Sequence, residues 1–466
     1  MSVAGEKGLT FFLKIFFKSF FYVLLQPKIR KNLMNWQQLL STKRFGMEQY
    51  HAKHAGDRSE FQRDYDRLIF SAAFRRLQNK TQVFPLPTNI FVHNRLTHSL
   101  EVSCVGRSLG NKVAQKLGLG QGEVGSIVAA ACLAHDMGNP PFGHSGETAI
   151  SSFFSEGKGL ILKNLIENEN QWKDLTCFEG NANAFRLLTH QFNGRRKGGF
   201  ALTYSTLASI IKYPFPSIEA NEKKTKFGFF YSETDSYLQI ANELGINCLD
   251  KTKNRFARHP LVFLVEAADD ICYQIMDIED AHKLKIISTE ETKTLLLNFF
   301  DEHQCARRLE ILEMVSDVNE QIAYLRSSVI GKLIDECTRV FAENEIDLLS
   351  GTYNASLIKN ISENCVQAYK ICSDLAFKKI YRSQEVIDVE LSGYKIITTL
   401  LEHLTEAIFS PDKKYSQQLL MRIPTQYETA APTAYGKIQA VLDYISGMTD
   451  VYALDLYRKI TGINIP

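Results

Sequence analysis

Residues 131–147, "ACLAHDMGNPPFGHSGE", change character halfway along. Ala131–Ala134 are small or apolar and suit the inside of a helix bundle. His135 and Asp136 follow, and Gly138, Pro140 and Pro141 then stop any helix before His144 and Glu147. Adjacent side chains in mid-helix diverge by about 100°. At the last turn of a helix, His135 and Asp136 can instead converge on one ion. Imidazole nitrogen with carboxylate oxygen is a mixed donor set that suits Mn, Fe, Co, Ni or Zn. Taken alone, the pair reads first as a capping histidine beside a surface aspartate.

Around this stretch the periodicity is helical. Amphipathic runs cover 99–117, 122–137, 180–190, 201–212, 259–286 and 306–347, and more follow toward the C-terminus. Pro260 stands where a helix would open. Strand-like alternation is confined to "KTQVFPL" (80–86) and "KFGFFYS" (226–232). The expected fold is all-α, mainly helical with a few short strands. Its expected organisation is an appendage over 1–33, a core over 34–300 and a helical C-terminal region over 301–466 packed on that core.

The bulk numbers agree with a large helical core. The chain has 466 residues, 45% of them hydrophobic and 23% charged, with a formal net charge of +2. That balance gives no general pull toward nucleic acid or membrane. Nine cysteines without a CxxC pair argue for reduced thiols and a cytoplasmic location rather than a disulfide framework. "TFFLKIFFKSFFYVLL" (10–25) is interrupted by Lys14 and Lys18 and is shorter than the roughly 20 apolar residues a spanning helix needs. No stable membrane association is expected for 34–466. Residues 1–33 carry six Lys/Arg against the single acid Glu6, and are expected to be an appendage translated from an upstream start codon.

Further metal-ligating candidates sit elsewhere. His98 lies at the start of the run after "HNRLT", with Arg95 one turn earlier. Asp269 and Asp270 fall inside "LVFLVEAADDICY", where a carboxylate is costly unless it is paired or bound to metal. Asp269, Tyr273 and Asp277 recur at i, i+4 and i+8 and share one helix face. Two histidines and two aspartates on separate helices would make a site with open positions for water and substrate.

His98, the His135–Asp136 pair and Asp269 resemble the H…HD…D signature of HD-domain metal-dependent phosphohydrolases. The ordered segments "FRRLQNKTQVFP", "NRLTHSLEV", "AHDMGNPPFGHSGE", "FEGNANAFR", "IIKYP", "KFGFF", "RHPLVFLVEAADDICYQIMDIEDA" and "ISGMTDVYALDLYRKITG" narrow it further. Together they resemble the bacterial deoxyguanosinetriphosphate triphosphohydrolase (dGTPase) family from about residue 34 to the C-terminus. The resemblance implies a helical HD fold with a helical C-terminal extension. It also implies hydrolysis of a dNTP, dGTP foremost, to deoxynucleoside and inorganic triphosphate.

By the same resemblance, His98, His135, Asp136 and Asp269 would ligate one divalent metal, Mn, Mg or another transition metal. Asp269 is preferred to Asp270 because it keeps the register with Tyr273 and Asp277 that the family's sugar contacts require. His144 and Glu147 would activate water or serve the leaving group. In many HD relatives a histidine stands where this chain has Asn139, which argues against a two-histidine relay. No GxxxxGK loop is present to cradle phosphates, so Arg95, Lys212 and Lys226 are the candidate cations. Gln82, Tyr273 and Asp277 would hold the sugar, with Asn181 and Tyr213 as further substrate contacts. A homo-oligomer and a dNTP or single-stranded DNA effector are expected on the same basis. The competing readings are an HD hydrolase of another nucleotide and a nucleotide- or single-stranded-DNA-sensing regulatory module.

Overall fold

Asn94 opens the helix Arg95–Leu117 with a reciprocal cap: its side chain accepts from the Thr97 N–H, and Thr97 accepts from the Asn94 N–H. His98 thereby falls in the first turn. The computed structural model describes residues 33–50, 58–83, 93–120, 122–220 and 225–463. The appendage expected over 1–33 therefore lies, but for Leu33, outside the described residues. Arg95–Leu117 packs along Glu123–Ala134, and the two backbones approach so closely at Gly110 and Gly125 that a side chain on Gly110 would collide. Val262–Lys283 packs on the same pair, and Val318–Glu343 packs against both Arg95–Leu117 and Val262–Lys283.

The chain is mainly helical, as expected. Among the described residues the strands are Cys248–Asp250 and Arg255–Phe256, an antiparallel pair. Neither strand candidate forms a strand among the described residues. "KFGFFYS" contributes one isolated bridge at Phe229, and "KTQVFPL", described only to Val83, contributes one at Thr81. The phenylalanines decide the first case. Phe227, Phe229 and Phe230 are all fully buried, which defeats alternation, and they divide between two cores. The 306–347 run is not one helix but parts of Glu302–Glu313, Val318–Glu343 and Glu345–Ser350. Asp317 caps a new start by accepting from the Glu320 N–H. No helix among the described residues is long and apolar enough to cross a membrane.

Two apolar cores organise the chain. One gathers Arg95–Leu117, Glu123–Ala134, Val262–Lys283 and Val318–Glu343. The other gathers Gly143–Ser155, Gln384–Phe409, Ala434–Ser446 and Asp450–Thr461. Residues 135–142 pass from the first to the second. The turn that the two prolines enforce is therefore the seam between cores, and the candidate site opens along it.

Candidate active site

Side chains bonded to backbone groups fix the seam. The Gly138 carbonyl accepts from Asn183 Nδ2 (2.7 Å), and the Asn139 carbonyl from Lys80 Nζ (2.6 Å). Lys80 also donates to the Ser446 carbonyl (2.7 Å). Phe142 adopts φ 62°, unusual for a residue with a side chain, and its N–H donates to Asp450 Oδ1 (2.9 Å). Asp450 Oδ2 accepts from the Thr81 N–H (2.8 Å), next to Gln82. The C-terminal helices thus hold both lips of the site. Burial lowers the Lys80 pKa to about 7, against the pull of Asp450.

His98, His135 and Asp269 bring one donor atom each within 4.8 Å of one another. His98 Nε2 lies 3.1 Å from Asp269 Oδ1, and His135 Nε2 lies 3.5 Å from the same oxygen. Two donors at right angles about an ion 2.1 Å away stand about 3 Å apart, so these separations suit a first-row divalent metal. His135 Nδ1 bonds the Cys132 carbonyl at 2.6 Å, which places the proton on Nδ1 and leaves the Nε2 lone pair for a metal. Asp136 is the fourth expected ligand and stands beside this trio. Its Oδ1 is 3.5 Å from His135 Nε2 and accepts from Asn139 Nδ2 (2.6 Å); its Oδ2 accepts from Arg95 (2.7 Å).

The electrostatics are those of a site that attracts positive charge. Burial works against the His135 imidazolium, but Asp136 and Asp269 outweigh it and raise the pKa to about 9. Burial likewise raises Asp136 and Asp269. Arg95 and His135 overcome that at Asp136 and bring it to about 2; His135 and His98 hold Asp269 well below the ordinary carboxylate range. Asp270 differs from its neighbour. It stays outside the cluster, and burial pushes it up to about 7.

A cavity of about 260 Å³ opens beside the trio. It is lined by twelve of the fourteen expected residues: Gln82, Arg95, His135, Asp136, His144, Glu147, Asn181, Lys212, Tyr213, Lys226, Asp269 and Tyr273. His98 lies behind the wall, buried. Asp277 does not reach the lining. Its carboxylate accepts from Tyr381 Oη at 2.5 Å, and burial raises it to about 7. The i+8 spacing carries it about 12 Å along the helix from Asp269, beyond the cavity.

His144 sits at the mouth. Its Nδ1 is 2.7 Å from Glu147 Oε2, and that bond, before charge, raises the imidazole pKa. Glu147 Oε1 accepts from the Gly180 N–H (2.7 Å); a side chain at Gly180 would collide with this carboxylate and with Asn139. Burial opposes ionised Glu147, but His144 and Lys226 keep its pKa low. Lys226 lies 3.8 Å from Glu147 Oε2 and donates to Glu179 Oε1 (2.6 Å), and Lys212 lies 3.2 Å from Glu266 Oε1. Asn181 Nδ2 also donates to Glu179 Oε1 (2.7 Å). Buried polar atoms without a partner among the described residues include Gln82 Oε1 and Arg95 Nε, both on side chains of the cavity.

Sequence reading passed over Glu179, Glu266, Lys80 and Asp450. Glu179 carried a local signal, since it caps Gly180–Thr189 through the Asn181 N–H, but its pairing with Lys226 spans 47 residues. Asp450 carried only the cap position after Thr449.

Residues 95–225 match the HD domain family, and 360–459 match the phosphohydrolase-associated domain. A Synechocystis deoxyguanosinetriphosphate triphosphohydrolase-like protein is 36% identical, with 93% of this chain and 100% of the relative covered. A Pseudomonas aeruginosa protein of the same description is 38% identical at the same coverage. The Yersinia enterocolitica deoxyguanosinetriphosphate triphosphohydrolase is 31% identical over 86% of this chain and 93% of its own. The chain belongs to the deoxyguanosinetriphosphate triphosphohydrolase family of HD-domain phosphohydrolases.

Proposed function

We propose that the protein hydrolyses a deoxynucleoside triphosphate, dGTP foremost, at the α-phosphorus, giving the deoxynucleoside and inorganic triphosphate. The observation that carries this reading is one cavity joining a three-donor metal cluster, a His–Glu pair and the Lys212–Lys226 wall. His98, His135 and Asp269, with Asp136 beside them, would hold a divalent ion, which would supply Lewis-acid charge against the negative charge developing on the α-phosphate. Arg95, Lys212 and Lys226 bind phosphate oxygens, with Asn181 and Tyr213 beside them. Tyr273, whose ring meets His98 edge-on at 6.4 Å, and Gln82 face the sugar.

The water oxygen becomes the fourth oxygen on the α-phosphorus, the bond to the 5′ oxygen breaks, and that oxygen leaves with a proton. His144 has Nδ1 fixed by Glu147 and no partner for Nε2 among the described residues. It is placed to take a proton from the water or give one to the 5′ oxygen. Triphosphate release from each of the four dNTPs, alone and mixed, with and without Mn²⁺, tests the proposal. Release that stops on chelation and returns with Mn²⁺ is expected. No release from any dNTP under any of these conditions would refute it.

A further inference from the structure

A second cavity, of about 370 Å³, lies against Lys212, Tyr213 and Lys226, the same three residues that wall the metal-bearing cavity. The two spaces differ in charge. In the first, Asp136, Glu147, Glu179, Glu266 and Asp269 face three permanent cations. The second is lined by Lys212, Lys226, Arg255 and Arg258 and by one carboxylate, Glu219, already paired with Lys253 at 3.1 Å. Lys212 and Arg258 reach Glu266 and Lys226 reaches Glu179 from the first cavity, so Arg255 is the cation of the four without a carboxylate partner among the described residues.

The arginines keep donor capacity in hand. Arg255 lies over the Phe215 ring at 4.5 Å and has no carboxylate partner among the described residues. Arg258 donates Nη2 to Glu266 (2.6 Å) and covers Phe263 at 4.0 Å. Its Nε is buried with no hydrogen-bond partner among the described residues. Guanidinium groups seated over aromatic rings with unpaired N–H groups suit several phosphoryl oxygens at once.

We propose that this second cavity binds inorganic triphosphate, received across the Lys212–Lys226 wall from the metal-bearing cavity. The inference rests on the proposed α-phosphorus hydrolysis as the source of that anion. Cleavage replaces an ester oxygen by an ionisable one, so the product is more anionic than the tail of the substrate. It leaves a cavity rich in carboxylates for one rich in cations.

The test is calorimetric titration of tripolyphosphate, diphosphate and orthophosphate into the metal-loaded full-length protein, freed of unbound metal. Tripolyphosphate should bind more tightly than the shorter anions. Arg255→Glu, on an exposed strand, should weaken it about tenfold or more. Lys459→Glu, the same charge change on the C-terminal helix, should not. His135→Ala should keep the Arg255-dependent binding, because the cations concerned are not metal ligands. Equal affinity in wild type and Arg255→Glu, or no binding to wild type, overturns the proposal. Arg255-dependent binding in a protein that hydrolyses no dNTP leaves the triphosphate site standing and removes the hydrolytic reading alone.

Discussion

Asp450→Asn isolates what the C-terminal region does for the site. The Asp450 carboxylate accepts two backbone N–H groups, Thr81 beside Gln82 and Phe142 at the start of the helix carrying His144 and Glu147. Asparagine keeps the shape but offers one carbonyl, so one N–H meets an amide NH₂ instead. A hydrogen bond to a charged group contributes about 1.5–3 kcal/mol. Holding a residue with a side chain in the left-handed region costs about 1–2 kcal/mol, and at Phe142 the Asp450 bond opposes relaxation of that strain. Losing about 2 kcal/mol lowers the ratio of the correct turn to its relaxed alternatives some 30-fold, so kcat should fall by up to about that factor. Asp450 touches neither His98, His135 nor Asp269, so bound metal should stay at the wild-type level. Triphosphate release, metal content and a circular dichroism melt together make the assay. A folded Asp450→Asn protein with kcat within about twofold of wild type would refute this chain of reasoning.

Asp269→Ala should abolish turnover and lower bound metal while Asp270→Ala retains both; elemental analysis of the two purified variants decides between the neighbours. Because the Glu147 hydrogen bond and charge raise the His144 pKa, the charged pair is fully formed below about 6.5 and is lost as pH rises through the higher folded value. Glu147→Gln should therefore move the limb of the kcat–pH profile that belongs to His144 to lower pH, whether the ring acts as acid or base, and an unmoved limb counts against the pair. Lys226→Met should raise KM about 10- to 100-fold through a lost charge-assisted contact, with a smaller change in kcat. A normal KM would show that Lys226 serves Glu179 rather than substrate.

What could be read from the sequence was whatever chemistry writes locally. The end of Glu123–Ala134 was legible because Gly138 and the prolines forbid continuation, and that placed His135 at the helix C-terminus. The helical class was legible from apolar spacing. The 306–347 run failed as a single helix because apolar period continues across Asp317, whereas a cap depends on one side chain reaching one N–H. "KFGFFYS" failed as a strand because composition cannot show that Phe229 enters one core while Phe227 and Phe230 enter the other.

The site divides along the same line. Residue types fitted to metal chemistry announced His98, His135 and Asp269, but Asp277 shows where spacing stops being enough. An i, i+4, i+8 series shares a face, yet a face extends along the axis, and two further turns take Asp277 from the cavity to the Tyr381 hydroxyl. Tyr381 in turn packs near Tyr273, ring centroids 5.8 Å apart, so Asp277 borders the expected sugar side through a residue that no helical register could supply. The same holds for Asp450 and Lys80, whose partners lie hundreds of residues away in the chain. Groups that react reveal themselves by type, whereas groups that hold them in place appear only once two cores have been brought to one seam.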